Sequence, residues 1–165
     1  MNKHLKLVKD LNNLNNTLAS AGHFSDMDIV HHQALLMQQG SVVLKAIKVG
    51  DMVEILFGMI NLATTAVEAI AARGGDVMEL PVTWRHDGSV ISVMRTVSDK
   101  INQCSSGATE DYSAVYCLCV HLTRNFINAD FDKAFQALND FKKVANNINS
   151  LEQSKAPDLS DYLFE

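Results

Sequence analysis

Between Asp28 and Arg73 the chain runs through two apolar helical segments joined by the tight link Val49-Gly50-Asp51, and it then stops on Gly74-Gly75. So short a link turns the second helix back along the first, which reads as an antiparallel hairpin. The polar residues on its apolar face are few and mostly amides, Gln38, Gln39 and Asn61, with one carboxylate, Glu54, among them. Helix pairs of this kind can carry metal-dependent phosphate chemistry, but that chemistry requires carboxylates. The hairpin is therefore an active site, the remains of one, or a packing surface.

The rest of the chain supports a helical surround. With 165 residues it can bury one sizeable core, and only two prolines and eight glycines favour short connections. Leu7, Leu11, Leu14 and Leu18 mark a first helix over Met1 to Ala19, broken at Ala21-Gly22-His23. Ser25, with Asp28 three residues on, caps a second helix from about Asp26 to Lys48. Asp51 opens a third, which ends at Gly74-Gly75. Asp76 to Gly88 is non-helical, with Val82-Thr83-Trp84 as a short strand candidate that has no evident partner. Ser89 to Cys104 is a fourth helix, Thr109 caps a fifth over Glu110 to Asn128, and Asp130 starts a sixth with a Phe131, Phe135, Leu138, Phe141 stripe. The expected architecture is all-α, a five- to six-helix bundle built on the central hairpin. Residues 1–151 form one helical domain, with the hairpin at 26–76 and a tail at 152–165. That tail ends in Tyr162-Leu163-Phe164, a triplet suited to docking on the body or on a partner. Helices that look apolar on more than one face predict a homodimer.

Charge and cysteine usage narrow the setting. The formal charge is −5 with no block of Lys or Arg, which argues against a nucleic-acid polymer or an anionic membrane surface as partner. The strongly apolar stretch without a formal charge, Ile55 to Val67, is shorter than the roughly 20 residues a membrane span needs. Cys104, Cys117 and Cys119 are odd in number, and Cys117 and Cys119 point apart on one helix. They read as reduced thiols in a cytoplasmic protein.

The order Gln38-Gln39-Gly40-Ser41-Val42, then Gly50-Asp51-Met52-Val53-Glu54, then Asn61 resembles the core of the MazG-like all-α nucleoside triphosphate pyrophosphatases. The resemblance covers roughly Asp28 to Asp76. It implies a nucleotide ligand and Mg²⁺ held by carboxylates on the two helices. Mg²⁺ takes hard oxygen ligands, and a triphosphate needs its charge neutralised. Gln38, Gln39 and Val42 stand at the positions of the family's three glutamates on the first helix. Glu54 matches the glutamate of the next motif, while Phe57 and Asn61 replace its aspartates. The catalytic assignment thus reduces to Glu54, and the metal ligands to Glu54 and Asp51. Neutral amides cannot supply the missing charge, so hydrolysis is in doubt while nucleotide binding through Gln38, Gln39 and Asn61 is retained.

Other residues offer weaker chemistry. Trp84 and Arg85, with Arg95, combine an aromatic surface and cations suited to a base and a phosphate. Glu68 returns to the stripe of Glu54 and Asn61, but about 21 Å from Glu54 along one helix it cannot share an ion with it. His31 and His32 diverge by about 100° on a helix, so they do not chelate together. His32 can line a pocket mouth or cap the core. Cys117 and His121, four apart, are half a zinc site without a second half. Asp51 and Asp111 each lead an apolar helix, with Asn61 and His121 at matching distance, a faint hint of duplication. The expected function is that of a MazG-like nucleotide-binding protein of the NTP pyrophosphohydrolase type. The alternative is a non-enzymatic helical interaction or dimerisation module.

Overall fold

The computed structural model describes residues 1–14, 24–83, 89–147 and 156–164. Within them the fold is an all-α bundle. The helices are α1 (Lys3–Leu14), α2 (Asp26–Val49), α3 (Met52–Arg73), α4 (Val90–Gln103), α5 (Thr109–Leu122) and α6 (Phe131–Asn147). The expected extension of the first helix to Ala19 and the Trp84 end of the strand candidate lie outside the described residues. Val82 and Thr83 are in no strand.

α3 is the axis of the molecule. α2 and α5 flank it, α4 closes a four-helix ring between those two, and α1 and α6 pack on α3 and on each other. Small residues on α3 let its neighbours approach. Gly58 is the tightest case, since a Cβ there would stand 2.9 Å from Val43 Cγ2 and 3.3 Å from the Val43 backbone. Fourteen residues of α3 are buried, so among the described residues this helix supplies more of the core than any other. It is also long and apolar enough to cross a membrane, yet 83% of that window is buried against its neighbours. Counting only charge-free residues missed this, because Glu54 and Glu68 interrupt the run without ending the helix.

The helix ends follow their capping chemistry. Ser25 and Asp28 form a reciprocal capping box on α2, with the Ser25 amide donating to Asp28 at 2.7 Å. Gly50 and Gly74 close α2 and α3 in the left-handed conformation, with φ of 81° and 76°. Thr109 does not cap α5: the N-cap is Ala108 and Thr109 is the first helical residue. Asp111 instead accepts from the Ser106 hydroxyl, whereas Asp51 caps its helix directly, so the two aspartates of the suspected repeat have different jobs. α5 runs into a π-helical turn at Thr123–Ile127 that ends on Asn128 with φ 58°. The C-terminal triplet docks on this turn. Asp130 N donates to the Tyr162 carbonyl at 2.9 Å, Phe164 N donates to the Asn128 carbonyl at 2.8 Å, and Leu159 is fully buried.

Candidate functional site

The hairpin site was expected to gather Gln38, Gln39, Glu54, Asn61 and Asp51. Val43 against Gly58 sets the register of α2 and α3 and puts position 39 level with 61 and 62. Gln39 and Asn61 are both half-buried, while Gln38 is exposed. Asn61 turns its amide back on its own helix, donating to the Phe57 carbonyl at 3.2 Å. Glu54 is exposed and lies about 10 Å along α3 from Asn61, a separation of seven residues. The amides share a level of the hairpin. The retained glutamate does not.

Asp51 is committed elsewhere. Its Oδ1 accepts from the Val53 and Glu54 amides at 3.0 and 3.1 Å, satisfying two of the free N–H groups at the start of α3. Asp51→Ala should lower the unfolding free energy by about 1 kcal/mol, and Asp51→Asn should restore it. Urea denaturation checks this; a loss that asparagine fails to restore would show that the charge itself is needed. With Asp51 capping, Glu54 exposed away from the amides, and neutral side chains at the other positions, this set does not fit a Mg²⁺–triphosphate centre. Among the described residues, no three His, Cys, Asp or Glu side chains converge as metal ligands.

Glu68 does find a partner on its stripe. It is half-buried, and burial pushes its carboxyl above the usual range, opposed by the nearby Lys142 of α6. Burial likewise pulls the Lys142 ammonium down, opposed by Glu68. Of the histidine pair, His31 is exposed. His32 caps the core, buried against Phe24 in a stacked arrangement with centroids 6.0 Å apart, and burial lowers its pKa. Trp84 and Arg85 lie outside the described residues, and Arg95 is exposed on α4.

Neither a family model, a curated protein nor a solved structure matches this chain. The site has to be read from its own geometry.

Two cavities carry features that the sequence did not single out. The first is a groove of about 540 Å³ between α2 and α4, lined mainly by apolar groups of Met37, Leu44, Val97 and Ile101, with Gln33 at one end and Lys45 and Lys48 at the other. Gly40 forms part of its wall, where a Cβ would meet Ile101 Cδ1 at 2.6 Å. Gln33 donates to the Ile101 carbonyl at 3.0 Å, while its Oε1 is buried without a hydrogen-bond partner. Around this groove Val30, Met37, Val90, Ile91 and Met94 stand 37–61% exposed. The signal for it was the heptad spacing of Val30, Met37 and Leu44, overshadowed by the opposite face of α2 that packs on α3.

The second groove, about 470 Å³, lies between α1, α5 and α6 and is floored by a buried polar chain. His4 Nδ1 is 2.7 Å from Tyr116 Oη, and His4 Nε2 is 3.1 Å from Asp132 Oδ1. Asp132 also meets Lys3 at 3.0 Å and Arg124 at 3.6 Å. Burial lowers the His4 pKa from 6.5 to about 4, against the pull of Asp132. The imidazole is therefore neutral at pH 7. Its Nε2–H donates to Asp132 while Nδ1 accepts from the Tyr116 hydroxyl. Burial also raises the Tyr116 phenol, which keeps it protonated. Cys117 borders this groove and is half-buried; it accepts from the Leu80 amide and donates to the Met78 carbonyl, both at 3.5 Å. The thiol holds the segment after α3 in place rather than pairing with His121 around zinc. Burial pushes the Cys104 thiol up to about 12 and raises that of Cys119 as well, so neither is a reactive thiolate.

Proposed function

We propose that this chain is a non-enzymatic helical interaction module built on a MazG-like hairpin. The observation that carries this reading is the exposed apolar face of α2 and α4, arranged around the apolar groove of about 540 Å³. Contiguous apolar surface of this kind marks binding faces rather than ordinary exposed surface. Methionine is represented on it at Met37 and Met94, and flexible thioethers suit a contact surface. The hairpin supplies the rigid frame, and its motif positions serve capping and packing: Asp51 caps α3, and Asn61 bonds its own helix. On this reading, hydrolysis of the family type has been lost.

A second reading, a nucleotide or phosphorylated metabolite bound without hydrolysis, has one observation in its favour. Gln39 and Asn61 are half-buried on one level of the hairpin rather than sealed in the core. Thermal-shift measurements with a panel of nucleoside triphosphates, each with and without Mg²⁺ or Mn²⁺, separate the two. The module reading predicts no ligand-linked shift. Binding with ligand at about a hundred times its Kd would stabilise the fold by about 2.7 kcal/mol, and a shift of that scale would overturn it. So would pyrophosphate release that disappears in Glu54→Gln.

A further inference from the structure

Resting on the interaction-module reading, we propose that the partner of the α2–α4 face is a second copy of this chain. The two α2 helices pack antiparallel about a two-fold axis through Met37. The argument is the self-complementarity of one stripe. Asp26, Val30, Gln33, Met37, Ser41, Leu44 and Lys48 follow each other at steps of three and four residues, so they share one face of α2. The steps read the same in both directions from Met37. An isologous contact demands this, since each residue must meet its mirror position on the other copy.

The chemistry mirrors as well. Asp26 at one end of the stripe falls level with Lys48 of the second copy, and Lys48 with its Asp26; both residues are exposed. Val30, 58% exposed, falls level with Leu44 of the second copy, which lines the groove. Gln33, half-buried, falls level with the exposed Ser41 of the second copy, so polar meets polar there. Met37, 61% exposed, meets itself on the axis. A parallel arrangement would instead set Asp26 beside Asp26 and Lys48 beside Lys48. Charged pairs at the ends of an apolar seam fix orientation in helix pairs generally, and like charges disfavour the alternative.

The neighbouring helix extends the same face. α4 runs opposite to α2, with Ile101 near Gly40 and the segment after α4 near Ile29. Its exposed Val90, Ile91 and Met94 therefore lie toward the Lys45–Lys48 end of the groove. The antiparallel register carries Val30 of the second copy to that end, so apolar surface meets apolar surface there also. The 540 Å³ groove is then the space the second copy's Met37 and Val30 enter.

Sedimentation equilibrium of the full chain across the micromolar range tests the proposal. Wild type should be a dimer, and Met37→Lys should weaken association by roughly tenfold or more, with helical content retained because Met37 is exposed. Asp26→Lys and Lys48→Asp should each weaken it by roughly threefold, and the double variant should recover wild-type association. Met37→Cys should form a disulfide-linked dimer on oxidation that wild type, with its three native cysteines, does not form. A monomeric wild type, a dimer indifferent to Met37→Lys, or a double charge variant without recovery would each overturn the second-copy contact. A monomer with a flat nucleotide response rejects self-association alone. A nucleotide-dependent stabilisation rejects the underlying reading.

Discussion

Replacing His4 by alanine is expected to lower the free energy of unfolding by about 3 kcal/mol, combining loss of a buried ring with the unpairing of two polar partners. The ring packs against Phe135 with centroids 4.3 Å apart and bridges Tyr116 to Asp132, so α1, α5 and α6 all lose a contact at once. The same residue sets a pH dependence. Its folded pKa, about 4, lies below the unfolded 6.5, so between those values the unfolded chain binds a proton that the folded chain refuses. Stability is full above pH 6.5 and is lost as pH falls toward 4. From pH 7.5 to 4.5 the His4 contribution should be roughly 2–3 kcal/mol, because each tenfold difference in proton affinity between the two states is worth about 1.4 kcal/mol. Urea midpoints of wild type and His4→Gln over that range read it out. Buried His32 drops in the same sense, so the informative quantity is the difference between the two proteins. Parallel pH profiles would rule out His4 as the titrating group.

The second large effect is expected at the hairpin seam. Gly58→Val should cost about 3 kcal/mol, the upper part of the range for overpacking a close helix contact. Gly58→Ala sets about 1 kcal/mol of helix propensity against a Cβ that must displace Val43, whose backbone lies 3.3 Å away. Valine adds two methyl groups where there is no room for one. Val43→Ala combined with Gly58→Val should recover more than about 1 kcal/mol relative to the sum of the single effects, because the two sites share one contact. Chemical denaturation of the four proteins completes the cycle. Strict additivity would mean that the seam yields elsewhere and that Gly58 does not set the helix approach.

The parts of this fold that could be read in the sequence are those governed by neighbours along the chain. The capping box at Ser25, the cap at Asp51 and the closing glycines at 50 and 74 involve partners within a few residues, and the structure has them where local chemistry puts them. Thr109 illustrates the limit even there: a residue of capping type sits one position too late, and Ala108 takes the cap without a side-chain bond. What stayed hidden was which helix covers which face. His4 bonds Tyr116 across 112 positions, and Lys142 lies near Glu68 only because α6 returns to α3. Periodicity marks an apolar stripe but does not say what lies across from it. For α2, apolar on two sides, the stripe toward α3 was visible and the stripe beside α4 was not.

The placement of α3 has a consequence for cooperativity. α1 and α2, from before the residue 74–83 connection, pack on it, and so do α5 and α6 from after it. No cut of the chain leaves a fragment that keeps α3 covered. The segment up to Arg73 would bare the side that α5 and α6 occupy, and the remainder would have no axis to assemble on. The molecule is therefore bound to fold and unfold as one unit, with partial disassembly confined to helices such as α4, which rests mainly on α2 and α5 rather than on that axis.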